Sequence, residues 1–253
     1  MSDLVTEPQP APPRLVNIIC MKWGVLYEAA YVNHLRNMVR RNLGLKHRFI
    51  CFTDDPAGLD SGIEVKPLPE VHAATGPERF WNKLGIFSNP LADLTGQTLW
   101  LDLDVVIVNS IDCFFELPGK FCIIQEREFR KQAGLNNGNS SVCRFEAGAH
   151  ADVLEKFNRD PGGVAARYMF DQEFISATIK PLTFWPGEWC RSFKKHCLAR
   201  PPGCYFSAPK IPSGARIIAF HGHPKPADAA RGGWVRGGIK YCRATPWIAE
   251  HWR

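Results

Sequence analysis

Asp102 and Asp104 stand one residue apart in TLWLDLDVVIVNS, residues 98–110, a segment that otherwise reads as a buried strand. An ionised carboxylate costs several kcal/mol to bury without a partner, so the pair calls for a cation or for hydrogen-bond donors. Alternate residues of an extended segment point to one side, although at a strand end they can diverge. Three readings suit the pair. A hard divalent cation, Mn2+ or Mg2+, takes one or two carboxylates from a protein and fills its other positions with water and substrate phosphate. Alternatively, one aspartate is a nucleophile towards phosphorus and the other an acid. The third reading is structural, with the carboxylates capping loops or pairing with Lys83 or Arg79.

The elements that must position these residues are visible as alternating periodicities. Residues 14–21, RLVNIICM, are a short apolar run that predicts a first strand. Tyr27, Ala30, Tyr31, His34, Leu35, Met38 and Val39 follow at helical spacing, with Arg36, Arg40 and Arg41 mostly off that face. HRFICFTDD repeats the strand signal, and Phe80, Trp81, Leu84 and Phe87 predict a helix before the acidic segment. Such alternation indicates an α/β domain with a largely parallel sheet, whose ligands sit at the carboxyl ends of the strands. CMKWG, TDD and DLD all fall there, so Met21, Lys22, Trp23, Gly24, Tyr27, Thr53 and Asp54 become candidates for a nucleotide pocket. For the aromatic residues a core role weighs equally, and for Asp54 a cap does. Beyond Ser110, KFCIIQE and NSSVCRF read as strands and AGAHADVLEKFNRD as a helix. Residues 184–226, dense in Pro, Gly and aromatics, read as a looped second half. The expected organisation is a Pro-rich leader over 1–13 and one domain over 14–253, with lobes 14–110 and 111–253.

Composition narrows the class. The 253 residues are 45% hydrophobic and 22% charged, enough for a sizeable core. The chain lacks an apolar run long enough for a membrane span, and its first residues do not resemble a secretory signal, so a cytoplasmic protein is expected. Nine cysteines without a C-x-x-C pair read as reduced thiols. Cys190, His196, Cys197 and Cys204 form a possible zinc set, but their spacing matches no common module. The net charge of +6 gathers late, in RSFKKHCLAR and RGGWVRGGIKYCR. A solvated basic face is the plainer reading; phosphates, anionic lipid headgroups or nucleic acid are the alternatives, and EWCRSFKKHC in particular could hold an acceptor phosphate or lean on a membrane. His47, His72 and His150 carry no pattern.

Four segments in order, KLGIF…LWLDLDVVIV, NSSV from Asn139, DQEF from Asp171 and GHPKP from Gly222, give the chain a resemblance to metal-dependent GT-A glycosyltransferases. It most resembles family eight, which includes glycogenin and bacterial lipooligosaccharide galactosyltransferases. The likeness runs from Leu15 to about Pro226. It implies a GT-A fold, a Rossmann-like mostly parallel mixed sheet flanked by helices, and transfer of a hexose from a nucleotide sugar, with a UDP-sugar the expected donor, with retention of configuration. It further implies that Asp102 and Asp104 bind Mn2+ and through it the diphosphate. Asn139 and Ser140 would approach the donor sugar, and Asp171 and Gln172 would contact the transferred sugar. Gly222 and Lys225 would meet the phosphates. The implied partners are a nucleotide sugar and a glycan, lipid-linked or small-molecule acceptor, with peripheral membrane contact as an option and no nucleic acid.

Several positions depart from the pattern. Ser141 stands where the family has Gly. The third metal ligand of the family falls on Ala219, so His221 or His223 must serve, or there is none. An arginine near the phosphates aligns with Trp81, leaving Lys83, Arg79 or Lys22 to supply that charge. Two rivals stay open on sequence alone. DLDVV also resembles the D-x-D-x-[TV] of haloacid-dehalogenase-type phosphatases, with Asp102 as nucleophile, although no later G-D-x-x-x-D pair appears. The departures at Ala219 and Trp81 also suit a non-catalytic sugar-nucleotide or glycan-binding relative.

Overall fold

The computed structural model describes residues 15–72, 79–129, 134, 136–200, 202–235 and 240–253, so the expected leader lies outside the described residues. Strand β1 (Val16–Lys22) pairs in parallel with β2 (His47–Thr53), Val16 opposite His47 and Lys22 opposite Thr53. Helix α1 (Ala29–Asn42) joins them and buries Val32, Leu35, Met38 and Val39, the stripe that its spacing predicts. β3 (Glu64–Lys66) adds to β2, and β4 (Gln97–Leu101) adds to the other side of β1. These strands carry near-continuous apolar runs because both faces are covered. Val16, Ile18 and Cys20 pack on the α1 side, while Ile19 and Met21 pack on the opposite side with Trp81, Leu84 and Phe87.

Residues 79–87 form a 3₁₀-helix, not the α-helix expected there. The spacing explains the correction. Trp81, Leu84 and Phe87 are three apart, which at three residues per turn makes one straight row, and all three are buried. Phe80 and Lys83 belong to a second row, which faces a cavity described below.

The single strand expected over the acidic segment is also corrected. The chain turns at residues 102–104 and continues as β5 (Val105–Ile107), which belongs to a different sheet. β6 (Phe121–Gln125) and β7 (Gly138–Glu146) return to the first sheet; β7 pairs antiparallel with both β4 and β6. Helices α2 (Ala151–Arg159), α3 (Pro161–Arg167) and α4 (Asp171–Thr178) follow, and β8 (Thr183–Phe184) adds parallel to β6. The sheet order is β3-β2-β1-β4-β7-β6-β8. The pairings make β7 the only strand of the seven that runs against the rest.

That reversal places Asn139, Ser140 and Ser141, at the start of β7, beside the carboxyl end of β4. The strand bulges there. Ile124 faces Asn139 and Ile123 faces Cys143, so Ser140, Ser141 and Val142 have no counterpart on β6. Their backbone groups are satisfied elsewhere: Asp102 N donates to Ser141 O at 2.9 Å and Trp185 Nε1 to Val142 O at 3.0 Å.

The loop-rich second half contains β9 (Cys190–Ser192) and β10 (Ile217–Ala219), which form a three-stranded sheet with β5. α5 (Pro226–Arg231), the antiparallel pair β11 (Gly233–Val235) and β12 (Lys240–Cys242), and α6 (Pro246–His251) complete the described chain. None of its helices is long and apolar enough to cross a membrane.

Candidate active site

Asp102 sits at the point where the chain leaves β4. Its Oδ1 accepts from Trp100 Nε1 at 3.1 Å and lies 2.8 Å from Lys83 Nζ. Lys83 is buried, with Nζ 3.1 Å from Ser140 Oγ, 3.7 Å from Asp171 Oδ2 and 5.4 Å from the centre of the Trp100 ring. Burial opposes its charge, but Asp102 and Asp171 outweigh that and hold its pKa above the ordinary lysine value. Of the cations that the sequence left open for this place, Lys83 lies beside Asp102, whereas Lys22 is turned to Asp55. Trp81, at the family's arginine position, belongs to the core, stacked on Phe157 at 5.1 Å. The side chain of Arg79 lies outside the described residues.

Asp104 receives a different set of partners because β5 has carried it towards the second sheet. Val105 pairs with Ala219, and Phe220 N donates to Asp104 O at 3.0 Å, which draws residues 220–225 over the aspartate. Lys225 Nζ consequently reaches Asp104 Oδ2 at 2.5 Å and Tyr27 OH at 2.6 Å, and Tyr27 OH donates to the same oxygen at 2.9 Å. Burial raises the Asp104 pKa, with Lys225 pulling it down and Asp102 adding to the rise. A buried carboxylate in this state gains from added positive charge.

The side-chain hydrogen bonds on Asp102 converge on Oδ1 and those on Asp104 on Oδ2, which leaves one oxygen of each for a further ligand among the described residues. Two carboxylates of this kind fit a hard divalent ion that takes its remaining ligands from phosphate and water. The described residues supply no third ligand: no three of His, Cys, Asp and Glu gather around one point. Ala219 is buried inside β10, where its neighbour across the ladder is Val105. His221 is engaged elsewhere, with Nε2 2.6 Å from Ser192 Oγ and its ring stacked on Phe129 at 5.2 Å. His223 lies 3.6 Å from Asp228. The zinc set does not assemble either; His196 Nδ1 accepts from Ser192 N at 2.9 Å.

Asp171 opens α4, where the helix dipole favours a carboxylate. Its Oδ2 accepts from Ser140 Oγ at 2.8 Å. Burial raises its pKa, and Lys83 and Ser140 counter the rise. Gln172 Oε1 accepts from Asn139 Nδ2 at 2.9 Å, and Gln172 Nε2 donates to Glu126 Oε1 at 2.7 Å. Glu126 was not picked out in the sequence, yet it directly follows β6 as Asp102 follows β4. A carboxylate at a strand's carboxyl end was the available signal.

A cavity of about 180 Å3 lies against this cluster, with Met21, Trp23, Tyr27, Phe80 and Lys83 in its wall beside Asp102 and Asp104. Other nucleotide candidates are engaged in holding loops. Lys22 Nζ bonds to Asp55 O at 3.0 Å, Thr53 Oγ1 donates to the same carbonyl at 3.0 Å, and Asp54 Oδ2 accepts from Gly24 N at 3.1 Å. Gly222, with φ of 72°, borders a second cavity that also includes Asn139, Asp171, Gln172 and His221.

No family model matches the chain, and no curated protein matches it by sequence. Solved structures do. The galactosyltransferase LgtC, in complex with donor and acceptor sugar analogs, superposes with a TM-score of 0.62 at 12% identity, over 92% of this chain and 94% of that one. The bifunctional glycosyltransferase WbbM gives 0.57 at 12% identity, over 96% of this chain and 52% of that one. The glycosyltransferase GlyE of Streptococcus pneumoniae gives 0.57 at 13%, over 85% of this chain and 57% of that one. Across nearly its whole length, the chain has the fold of these GT-A glycosyltransferases.

Proposed function

We propose that this chain is a glycosyltransferase that moves a hexose from a nucleotide sugar, a UDP-sugar, to a hydroxyl of a glycan, lipid-linked or small-molecule acceptor. The observation that carries the reading is the meeting of Lys83, Asp102 and Asp171 at the carboxyl edge of the sheet, with Lys225 on Asp104 beside them. In the transfer, the acceptor oxygen forms a bond to C1 of the hexose while the bond from C1 to the diphosphate breaks. The nucleoside diphosphate leaves with the electron pair, and the hydroxyl proton is released.

Negative charge builds on the leaving diphosphate, so positive groups placed there beforehand lower the barrier. Lys83 and Lys225 are those groups. Asp102 and Asp104 would hold a divalent cation, Mn2+ or Mg2+, which would supply Lewis-acid stabilisation of the same charge. Trp23 and Tyr27 offer aromatic faces to the base. Asp171 and Gln172, fixed by Ser140, Asn139 and Glu126, orient the sugar, and the proposed stereochemical course is retention.

The test is calorimetric titration of UDP, with and without Mn2+, into the wild type and Asp104→Asn. Metal-enhanced binding is expected in the wild type, with a loss of about tenfold or more in the variant. UDP binding indifferent to both metal and variant would refute the roles given to the aspartates. Absence of UDP binding would remove the UDP-sugar reading.

A further inference from the structure

Beside the two cavities described above lies a third, of about 380 Å3, with Phe80, Trp81, Arg167, Tyr168 and Met169 in its wall. It adjoins both. Phe80 also lines the cavity at Asp102 and Asp104, and Met169 also lines the one at Asp171 and Gln172. A fourth cavity, of about 300 Å3, shares Arg167 and Tyr168 and continues to Lys156 and Thr178. The row leads away from the candidate site past the end of α3 and along α4. Both added cavities are of the size that holds a small ligand.

The lining of the third cavity leaves groups without partners. Trp81 is 2% exposed, yet its Nε1 is buried with no hydrogen-bond partner. Nearly every buried donor in a folded protein is paired, by protein, water or ligand, so this N–H calls for an acceptor from outside the chain. Arg167, the last residue of α3, is exposed and forms no ion pair among the described residues. Tyr168 is half-buried, its ring held 5.5 Å from that of Phe174, and Met169 is 68% exposed. An indole N–H and a guanidinium donate and accept nothing. Flat apolar surface interrupted by donors suits a sugar ring, which offers C–H faces and several acceptor oxygens.

We infer that the third and fourth cavities hold the inner sugars of an oligosaccharide acceptor, whose terminal sugar reaches Asp171 and Gln172 through the second cavity. The acceptor is a glycan chain, not a monosaccharide. Trp81 and Arg167 donate to its inner sugars and so set the preference for length, and Phe80 and Tyr168 supply the apolar faces. The inference rests on the glycosyltransferase reading.

The test is calorimetric titration into the full chain with saturating UDP. Three series are compared: glucose, maltose and maltotriose; glucose, cellobiose and cellotriose; and galactose, galactobiose and galactotriose. The proteins are the wild type, Trp81→Phe, which keeps an aromatic ring but removes the unpaired donor, and Arg167→Gln. In at least one series affinity is expected to rise about tenfold from monosaccharide to trisaccharide, the size of one hydrogen bond to a charged group. Each variant is expected to lose most of that rise while binding UDP as the wild type does. Because Arg167 is exposed, its variant keeps the test decisive should Trp81→Phe fail to fold. Affinity indifferent to length in every series overturns the inference, and so does a rise that both variants keep. Loss of UDP affinity in Arg167→Gln would place the third cavity on the donor and overturn it too. UDP titrated alone separates the two readings: without UDP binding the parent proposal fails and takes this one with it, whereas UDP binding without a length preference removes this one only.

Discussion

At the scale of single residues, the site is a chain of opposite charges in which each lysine answers a buried carboxylate. Lys83 holds Asp102 and Asp171 together, and no other described lysine or arginine pairs with either. Replacing it with methionine strands two carboxylates, which is strongly destabilising when a buried pair is broken from one side. We expect Lys83→Met to lose about 3 kcal/mol in urea unfolding and to weaken UDP binding at least about tenfold. His221 makes a pH prediction. Burial, followed by Lys194, Lys195, Lys225 and His196, lowers its pKa to about 4, against about 6.5 in an unfolded chain. Between those values the unfolded chain holds a proton that the folded one refuses, so stability is lost as pH falls from about 6.5 towards 4. After discounting for partial exposure the effect is on the order of 1–2 kcal/mol. Unfolding at pH 7 and pH 4.5 should show that loss in the wild type and less of it in His221→Asn.

At the scale of elements, a 3₁₀ run and a bulge do most of the positioning. Gly85 lets residues 79–87 lie against the preceding loop; a Cβ there would sit 2.9 Å from Pro69 Cβ. Gly85→Ala should cost about 1–3 kcal/mol through overpacking and, by shifting Lys83, reduce UDP affinity as well. Equilibrium unfolding and calorimetry on one sample test both parts. The sequence revealed β1, β2, β4, β6, β7, α1, α2 and the acidic pair, because apolar runs and helical stripes are local signals, whereas the three-residue strands β9 and β10 lie in the stretch it read as loops. It did not reveal that DLD is a turn between two sheets, since VVIV continues the apolar pattern of TLWL without a break. The 3₁₀ row of Trp81, Leu84 and Phe87 was present in the spacing, but Phe80 beside it made an α-helix equally compatible. The places of Lys22, Thr53 and Asp54 depended on Asp55 and Gly24, loop partners that no periodicity announces.

For the whole molecule, the proposed donor would tie the two sheets together, because Asp102 leaves the seven-stranded sheet while Asp104 leads into the three-stranded one. A ligand bound only to the folded state at a hundred times its Kd adds about 2.7 kcal/mol. For a chain of this size that corresponds to a rise of about 5–10 °C in Tm. UDP with Mn2+ should produce such a rise in the wild type and a much smaller one in Asp104→Asn, measured by differential scanning calorimetry. The bulge in β7 has a further, kinetic consequence. Beyond Val142 the strand is laced on both sides, to β4 and to β6. Before it, the amide of Ser141 is held by the side chain of Asn139, and that of Gly138 by the hydroxyl of Ser176. Bonds of this kind open when a side chain rotates, without any strand separating from its neighbours. At the bulge, next to where the hexose would change hands, the amides of Ser141 and Gly138 thus depend on side-chain rotamers, while the ladder beyond Val142 depends on backbone alone.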